Sequence, residues 1–202
     1  MNSSESSGRR AVINRVFQAA LELQVVCLAQ KYRFCFIGGI AVQRWGEPRL
    51  TVDADLTLMT GFGNEKNFIQ TLAAKFRTRR PDAAEFALDK RVLLLCASNG
   101  VFLDVALAGL PFEERTIERA SPWKISADAS LTTCGAEDLV VHKAFADRDL
   151  DWLDLKGILQ RQGTQLNVDL IFEELRPLLQ LKGEPEIEER LRKMIAEERL
   201  SE

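Results

Sequence analysis

The sequence predicts an α/β fold in its first part and a run of helices in its second. Three observations carry that prediction. Short apolar runs at 34–37, 52–59, 91–97 and 101–107 are interleaved with segments of helical period. Asn99-Gly100 joins two of those runs, and Asn-Gly favours a tight hairpin turn. From Ala136 onward every segment reads as helix.

The elements follow in order. Residues 1–8 are polar and serine-rich and read as a disordered tail. From Arg9 to Lys31, Ile13, Phe17, Ala20, Gln24, Val25 and Leu28 recur at helical spacing. Phe34 to Ile37 is a buried strand ending at Gly38-Gly39. Ile40 to Trp45 forms a short helix closed by Gly46 and Pro48. Val52 to Met59 alternates, with Val52, Ala54, Leu56 and Leu58 on one face and Asp53, Asp55 and Thr57 on the other, the pattern of a half-buried strand. Asn64 caps a helix to Arg77, with Phe68, Leu72 and Phe76 inward. In the second hairpin arm Leu103, Val105 and Leu107 share a face, so Asp104 points the other way with Phe102. The helices of the second part run over 136–147, 151–162, 167–181 and 185–200. Asn167 caps the third of these, Pro185 opens the fourth, and Pro177 should kink or split its helix. The divisions are a tail (1–8), a core with its N-terminal helix (9–110), a connector holding Pro111 and Pro122 (111–135) and a helical region (136–202).

With 202 residues and 46% hydrophobic content, an ordinary buried core is available. A net charge of -3 excludes a dedicated non-specific nucleic-acid binder, which would be basic. Cys27, Cys35, Cys96 and Cys134 include no C-x-x-C pair, so they read as free buried thiols. No signal core and no membrane-length apolar run is present, which places the expected location in the cytoplasm, with no membrane partner.

The chemistry is concentrated in three places: Gly38-Gly39, Asp53-Ala54-Asp55, and Asp104 between Leu103 and Val105. Carboxylates at i and i+2 on one strand can share two magnesium ions, and a third from a neighbouring strand adds a ligand. Without cations such a cluster is costly. Asp104 could also draw a proton from an attacking hydroxyl. A Gly-Gly pair where a strand gives way to a helix can admit a phosphate to backbone N–H groups, though alone it reads as a plain tight turn. Together these residues point to metal-dependent chemistry on a nucleoside triphosphate.

Thirteen residues separate Gly39 from Asp53, and the third aspartate follows on a later strand. The set Ile37-Gly38-Gly39, Asp53-Ala54-Asp55 and Leu103-Asp104-Val105 resembles the nucleotidyltransferase superfamily of DNA polymerase beta, kanamycin-type adenylyltransferases and toxin–antitoxin transferases. The run Ala136 to Leu155, with Lys143, Arg148, Asp151 and Asp154, looks like the post-core helix of the small bacterial abortive-infection and toxin relatives. The resemblance covers about residues 33–160 and departs from its pattern where glycine, not serine, follows Gly38. It implies an α+β fold with a mixed sheet and flanking helices, and nucleotide held across the three aspartates. By it Lys143 contacts the triphosphate, Arg148 lies near the nucleotide, and Asp151 and Asp154 order a helix pair.

Other residues keep two readings. Lys143 suits a phosphate contact as a point charge or a snorkelling surface position. Arg49 either holds a phosphate or is a solvated loop residue, and Thr51 either joins it or pairs the strand. His142, the sole histidine, reads as helix surface or packing. Arg77, Arg79, Arg80, Lys90 and Arg91 form a phosphate-backbone patch or, as favoured here, a solvated charged face. The last helix reads as exposed and supported by pairs such as Glu188 with Arg192 and Glu189 with Lys193.

The expectation is a transferase that uses two Mg2+ ions to move a nucleoside monophosphate from a triphosphate such as ATP to a hydroxyl acceptor, releasing pyrophosphate. Asp53, Asp55 and Asp104 are its metal and catalytic residues; Gly38, Gly39, Arg49, Thr51, Lys143 and Arg148 are its nucleotide contacts. The acceptor is left open among tRNA, a protein and a small molecule. The alternative is a non-catalytic nucleotide-binding regulatory or antitoxin-like partner, with a protein as its companion.

Overall fold

A computed structural model describes residues 14–199; the expected tail at 1–8 lies outside them. The elements are α1 (Arg15–Ala29), β1 (Phe34–Phe36), α2 (Gly38–Trp45), β2 (Asp53–Met59), α3 (Glu65–Ala73), β3 (Arg77–Thr78), α4 (Ala83–Lys90), β4 (Val92–Cys96), β5 (Phe102–Ala108), α5 (Pro111–Glu118), β6 (Ser121–Lys124), β7 (Ser130–Thr133), α6 (Ala136–Ala146), α7 (Asp149–Gln162), α8 (Val168–Lys182) and α9 (Glu186–Arg199). The strands form a single mixed sheet in the order β3-β4-β5-β2-β1-β7-β6.

Period-2 alternation splits each central strand between two cores. Ala54, Leu56, Leu58, Leu103, Val105 and Leu107 face one cluster with α1, α3 and α4. On the opposite face, Cys35 and the apolar side of α2 join a second cluster built from α6 to α9. Asp53, Asp55 and Asp104 lie on that second face. There the polar ends of α6 and α7 meet the sheet.

Strand direction brings the carboxylates together. β2 and β5 run parallel, with Asp55 opposite Asp104 and Asp53 opposite Phe102. β1 is antiparallel to β2, with Phe36 opposite Leu56. β1 therefore ends where the other two strands begin, and the Gly38-Gly39 turn falls beside the acidic residues.

Several expectations are corrected. In α1 the inward residues are Val16, Ala19, Ala20, Leu23, Gln24 and Cys27, while Val25 and Leu28 are exposed and Ile13 lies outside the described residues; the alanines hide the face that packs. The helix expected to reach Arg77 ends at Ala73, followed by the short strand β3, and α4 was not anticipated. The stretch 111–135 is not merely a connector. Pro111 starts α5 at its first turn, and Glu113 accepts hydrogen bonds from the Gly109 and Leu110 amides at 2.8 Å. β7 then extends the sheet beside β1. Alternation there is weak because β6 is polar and half covered.

Pro177 does not split α8. It lies on the exposed face with Glu173, whose carbonyl loses its i+4 donor where water can replace it. The last helix is not wholly exposed: Ile187, Leu191 and Ile195 pack into the second core. Its Glu188–Arg192 pair forms at 2.6 Å, whereas Lys193 faces Glu197 at 3.9 Å. The four cysteines are free and buried. No described helix is long and apolar enough to cross a membrane.

Candidate active site

A cavity of about 560 Å³ opens between the starts of β2 and β5 and the facing ends of α6 and α7. Gly38, Gly39, Arg49, Thr51, Asp53, Asp55, Asp104, Lys143 and Arg148 all line it, so the residues expected to hold metal and nucleotide lie on one surface.

Both glycines are dictated by packing. Gly38 has φ +55°, a left-handed conformation that side chains resist, and a Cβ there would strike the Asp55 carboxylate. A Cβ on Gly39 would strike the Thr51 hydroxyl. The Gly39 amide, in the first turn of α2, donates to Asp55. The helix start thus meets a carboxylate of the chain itself, a favourable pairing of a dipole's positive end with an anion. The Thr51 hydroxyl donates to the Asp53 carbonyl at 3.3 Å.

The strand carboxylates are only sparsely neutralised. Burial, reinforced by the charges of Asp53 and Asp104, pushes the Asp55 carboxyl up to about 6. Burial also raises Asp104, and the nearby Arg79 opposes that rise. Among the described residues, Arg79 with Asp104 is the one ion pair these carboxylates make.

The helical wall is the reverse. Lys143 Nζ sits 2.8 Å from Asp151 Oδ1 and 2.7 Å from Asp154 Oδ2, with all three side chains buried. Arg49 donates to both oxygens of Asp154, at 2.6 and 2.9 Å. Arg148 donates to Asp151 at 2.5 Å while its side chain stays 75% exposed. Burial pushes Asp151 and Asp154 up, but these hydrogen bonds outweigh it and hold both below the usual carboxylate range. Lys143 is therefore a buried strut between α6 and α7, and Arg49 is bound to α7 rather than solvated. Of the expected nucleotide cations, Arg148 keeps the most exposed side chain.

Two further placements decide between readings the sequence left open. His142 is not on the helix surface: its ring lies 4.9 Å from that of Phe112, its Nε2 is buried without a partner, and burial with the neighbouring Lys143 charge pushes its pKa down to about 4. The basic cluster is spent on local partners. Arg77 donates to Cys96, Arg79 to Asp104, Arg80 pairs with Asp82, Lys90 with Asp89 and Arg91 with Glu65. Local pairing on the exposed side chains agrees with the favoured solvated charged face rather than a phosphate-backbone patch. Leu50, Val52, Phe145 and Leu150 give the cavity rim an exposed apolar character that no motif signalled.

Three aspartates offer hard oxygen donors, the chemistry magnesium prefers, and their mutual repulsion shows that they share one field. They are not a closed cage, since no group of three or more potential metal ligands is gathered among the described residues. Magnesium fits such an open set because it commonly takes one or two carboxylates and completes its shell with water and phosphate oxygens.

No family model and no curated protein matches the sequence. Solved structures do resemble the fold. The solution structure of the antibiotic-resistance factor ANT(2'')-Ia aligns with TM-score 0.51 at 12% identity, over 86% of this chain and 96% of that one. A crystal structure of ANT(2'')-Ia in complex with adenylyl-2''-tobramycin gives 0.48 at 15% identity, over 80% and 98%. An antigenic nucleotidyltransferase-like protein from Paracoccidioides brasiliensis gives 0.44 at 14% identity, over 86% and 92%. The fold is thus nucleotidyltransferase-like: a mixed seven-stranded sheet with flanking helices and a helical C-terminal part.

Proposed function

We propose that the protein is a magnesium-dependent nucleotidyltransferase that moves a nucleoside monophosphate from a triphosphate, ATP among the candidates, to a hydroxyl acceptor. One observation carries the reading. The parallel pairing of β2 and β5 sets Asp55 opposite Asp104, with Asp53 on the same face, in a cavity that also holds the Gly38-Gly39 turn. The fold likeness to ANT(2'')-Ia supports it.

Asp53 and Asp55 would hold two cations, and Asp104 would share one of them. Bound there, the cations would neutralise phosphate oxygens and favour in-line displacement. The chain's own groups do the rest. Gly38 and Gly39 leave room for phosphate beside the carboxylates. Arg148 has the exposure to reach the triphosphate, while Lys143 fixes the α6–α7 wall that carries it. Asp104 takes the proton of the acceptor hydroxyl as the new O–P bond forms on the α-phosphorus. The α–β bridging P–O bond breaks, and pyrophosphate leaves with its electron pair. The rim of Leu50, Val52, Phe145 and Leu150 offers apolar surface to base or acceptor. The acceptor class stays among tRNA, protein and small molecules such as the aminoglycosides. The α6–α7 residues keep the abortive-infection and toxin–antitoxin branch as the expected relationship, acting in the cytoplasm.

The test is a screen of each labelled triphosphate with magnesium against bulk RNA, total protein and aminoglycosides. Label transfer by wild type and none by Asp55→Asn supports the reading. A second reading, a non-catalytic nucleotide-binding partner, is favoured by the Arg79 contact that occupies Asp104. It wins if every acceptor stays unlabelled and Asp53→Ala binds nucleotide with magnesium as tightly as wild type.

A further inference from the structure

We infer that Arg79 is the internal counter-ion of Asp104 in the cation-free protein, and that a divalent cation reaches the strand carboxylates by displacing it. The inference rests on the nucleotidyl-transfer reading of the site.

Arg79 follows β3 near the sheet edge. Its amide donates to the Leu94 carbonyl at 3.0 Å. Leu94 is the β4 residue opposite Asp104, and Asp104 is opposite Asp55. These four residues make one row across the sheet. The Arg79 side chain spans the width of β4 so that its guanidinium reaches the Asp104 carboxylate. There it lies 4.5 Å above the ring of Phe102, which shares the Asp104 face of β5.

Three features mark this contact as a stand-in rather than a strut. First, only Nη2 engages, and only Oδ1 accepts it, whereas Arg49 grips both oxygens of Asp154. A bidentate fork is the stable form of such a pair. Second, Arg79 Nε is buried with no partner, a donor left unsatisfied by this placement. Third, a guanidinium and a divalent cation on one carboxylate repel each other, so the two are alternatives. Arg79 thus lowers the cost of the acidic cluster while no metal is bound and competes with metal when it arrives.

The experiment is calorimetric titration of MgCl2 into the full chain, as wild type, Arg79→Gln, Phe102→Leu and Asp55→Asn, with thermal melts in EDTA and in Mg2+. Arg79→Gln should bind Mg2+ about five- to ten-fold more tightly than wild type, the order expected for losing one competing, partly buried ion pair. It should also melt lower in EDTA and gain more from Mg2+. Phe102→Leu, which removes the ring beneath the guanidinium but leaves Asp104 intact, should shift affinity the same way by a smaller factor; it carries the test if Arg79→Gln does not fold. Equal or weaker Mg2+ binding by these variants, with wild type binding and Asp55→Asn not, overturns the inference alone. No Mg2+ binding by any of the four proteins overturns both the inference and the metal reading beneath it.

Discussion

Two sets of aspartates stand on either side of one cavity's wall in opposite electrostatic states. On α7, Asp151 and Asp154 are buried yet held below the usual carboxylate range, because Lys143, Arg49 and Arg148 converge on them. On β2 and β5, Asp55 and Asp104 are pushed upward, and a single arginine answers for the whole cluster. Burial is common to both sets; the counter-charge is not. The helical set is neutralised by the chain and works as structure. The strand set keeps a surplus of negative charge, which is what the proposed cation site requires.

The comparison breaks first at Lys143. Lys143→Met leaves Asp151 to Arg148 and Asp154 to Arg49, removes the shared cation between them, and should cost about 3 kcal/mol in urea unfolding. Unchanged stability with weakened triphosphate binding would instead make Lys143 a ligand, as the motif implied.

The second prediction turns on pH. The folded Asp55 carboxyl, near 6, binds its proton more tightly than the unfolded one near 3.8. The native state therefore carries more protons between those values, so stability falls as pH rises from about 4 through 6. Asp55→Asn should remove that slope and, at pH 7 to 8 without metal, stabilise the protein on the order of 2 kcal/mol. Asp151 and Asp154 act with the opposite sign. Their folded values are depressed, so their contribution is present above the ordinary carboxylate range and is lost as pH falls below about 4. A wild-type stability profile that is flat between pH 4 and 7 would refute the contrast.

Gly38→Ala ranks third. It places a side chain at φ +55° and drives Asp55 from its position. It should cost about 1–2 kcal/mol and weaken Mg2+ binding measured by calorimetry. Arg148→Ala should come last. Its side chain is mostly exposed, so stability should change by less than about 1 kcal/mol while triphosphate affinity drops.

What could be read from the sequence was what period and turn chemistry encode. Asp53 and Asp55 alternate with Ala54 and Leu56, Asn99-Gly100 closes its hairpin, and Asn167 caps α8 through its bond to the Leu170 amide. Pairing partners across the sheet were another matter. Nothing local told that Arg79 crosses β4 to Asp104, because that contact depends on which strands become neighbours. The doubly paired state of Lys143 was hidden for the same reason: its partners lie on the next helix, and the motif carried no sign that its ammonium is already held by two carboxylates. β6 and β7 escaped because short, half-covered strands leave little alternation to detect.

The parallel pairing of β2 with β5 also carries a kinetic consequence. Parallel strands cannot be joined by a tight turn, so α3, β3, α4 and β4 all intervene before Asp104 can take its place beside Asp55. The centre of the sheet is therefore a long-range closure that brings like charges together, and its rate should depend on whether protons or ions are at hand to screen them.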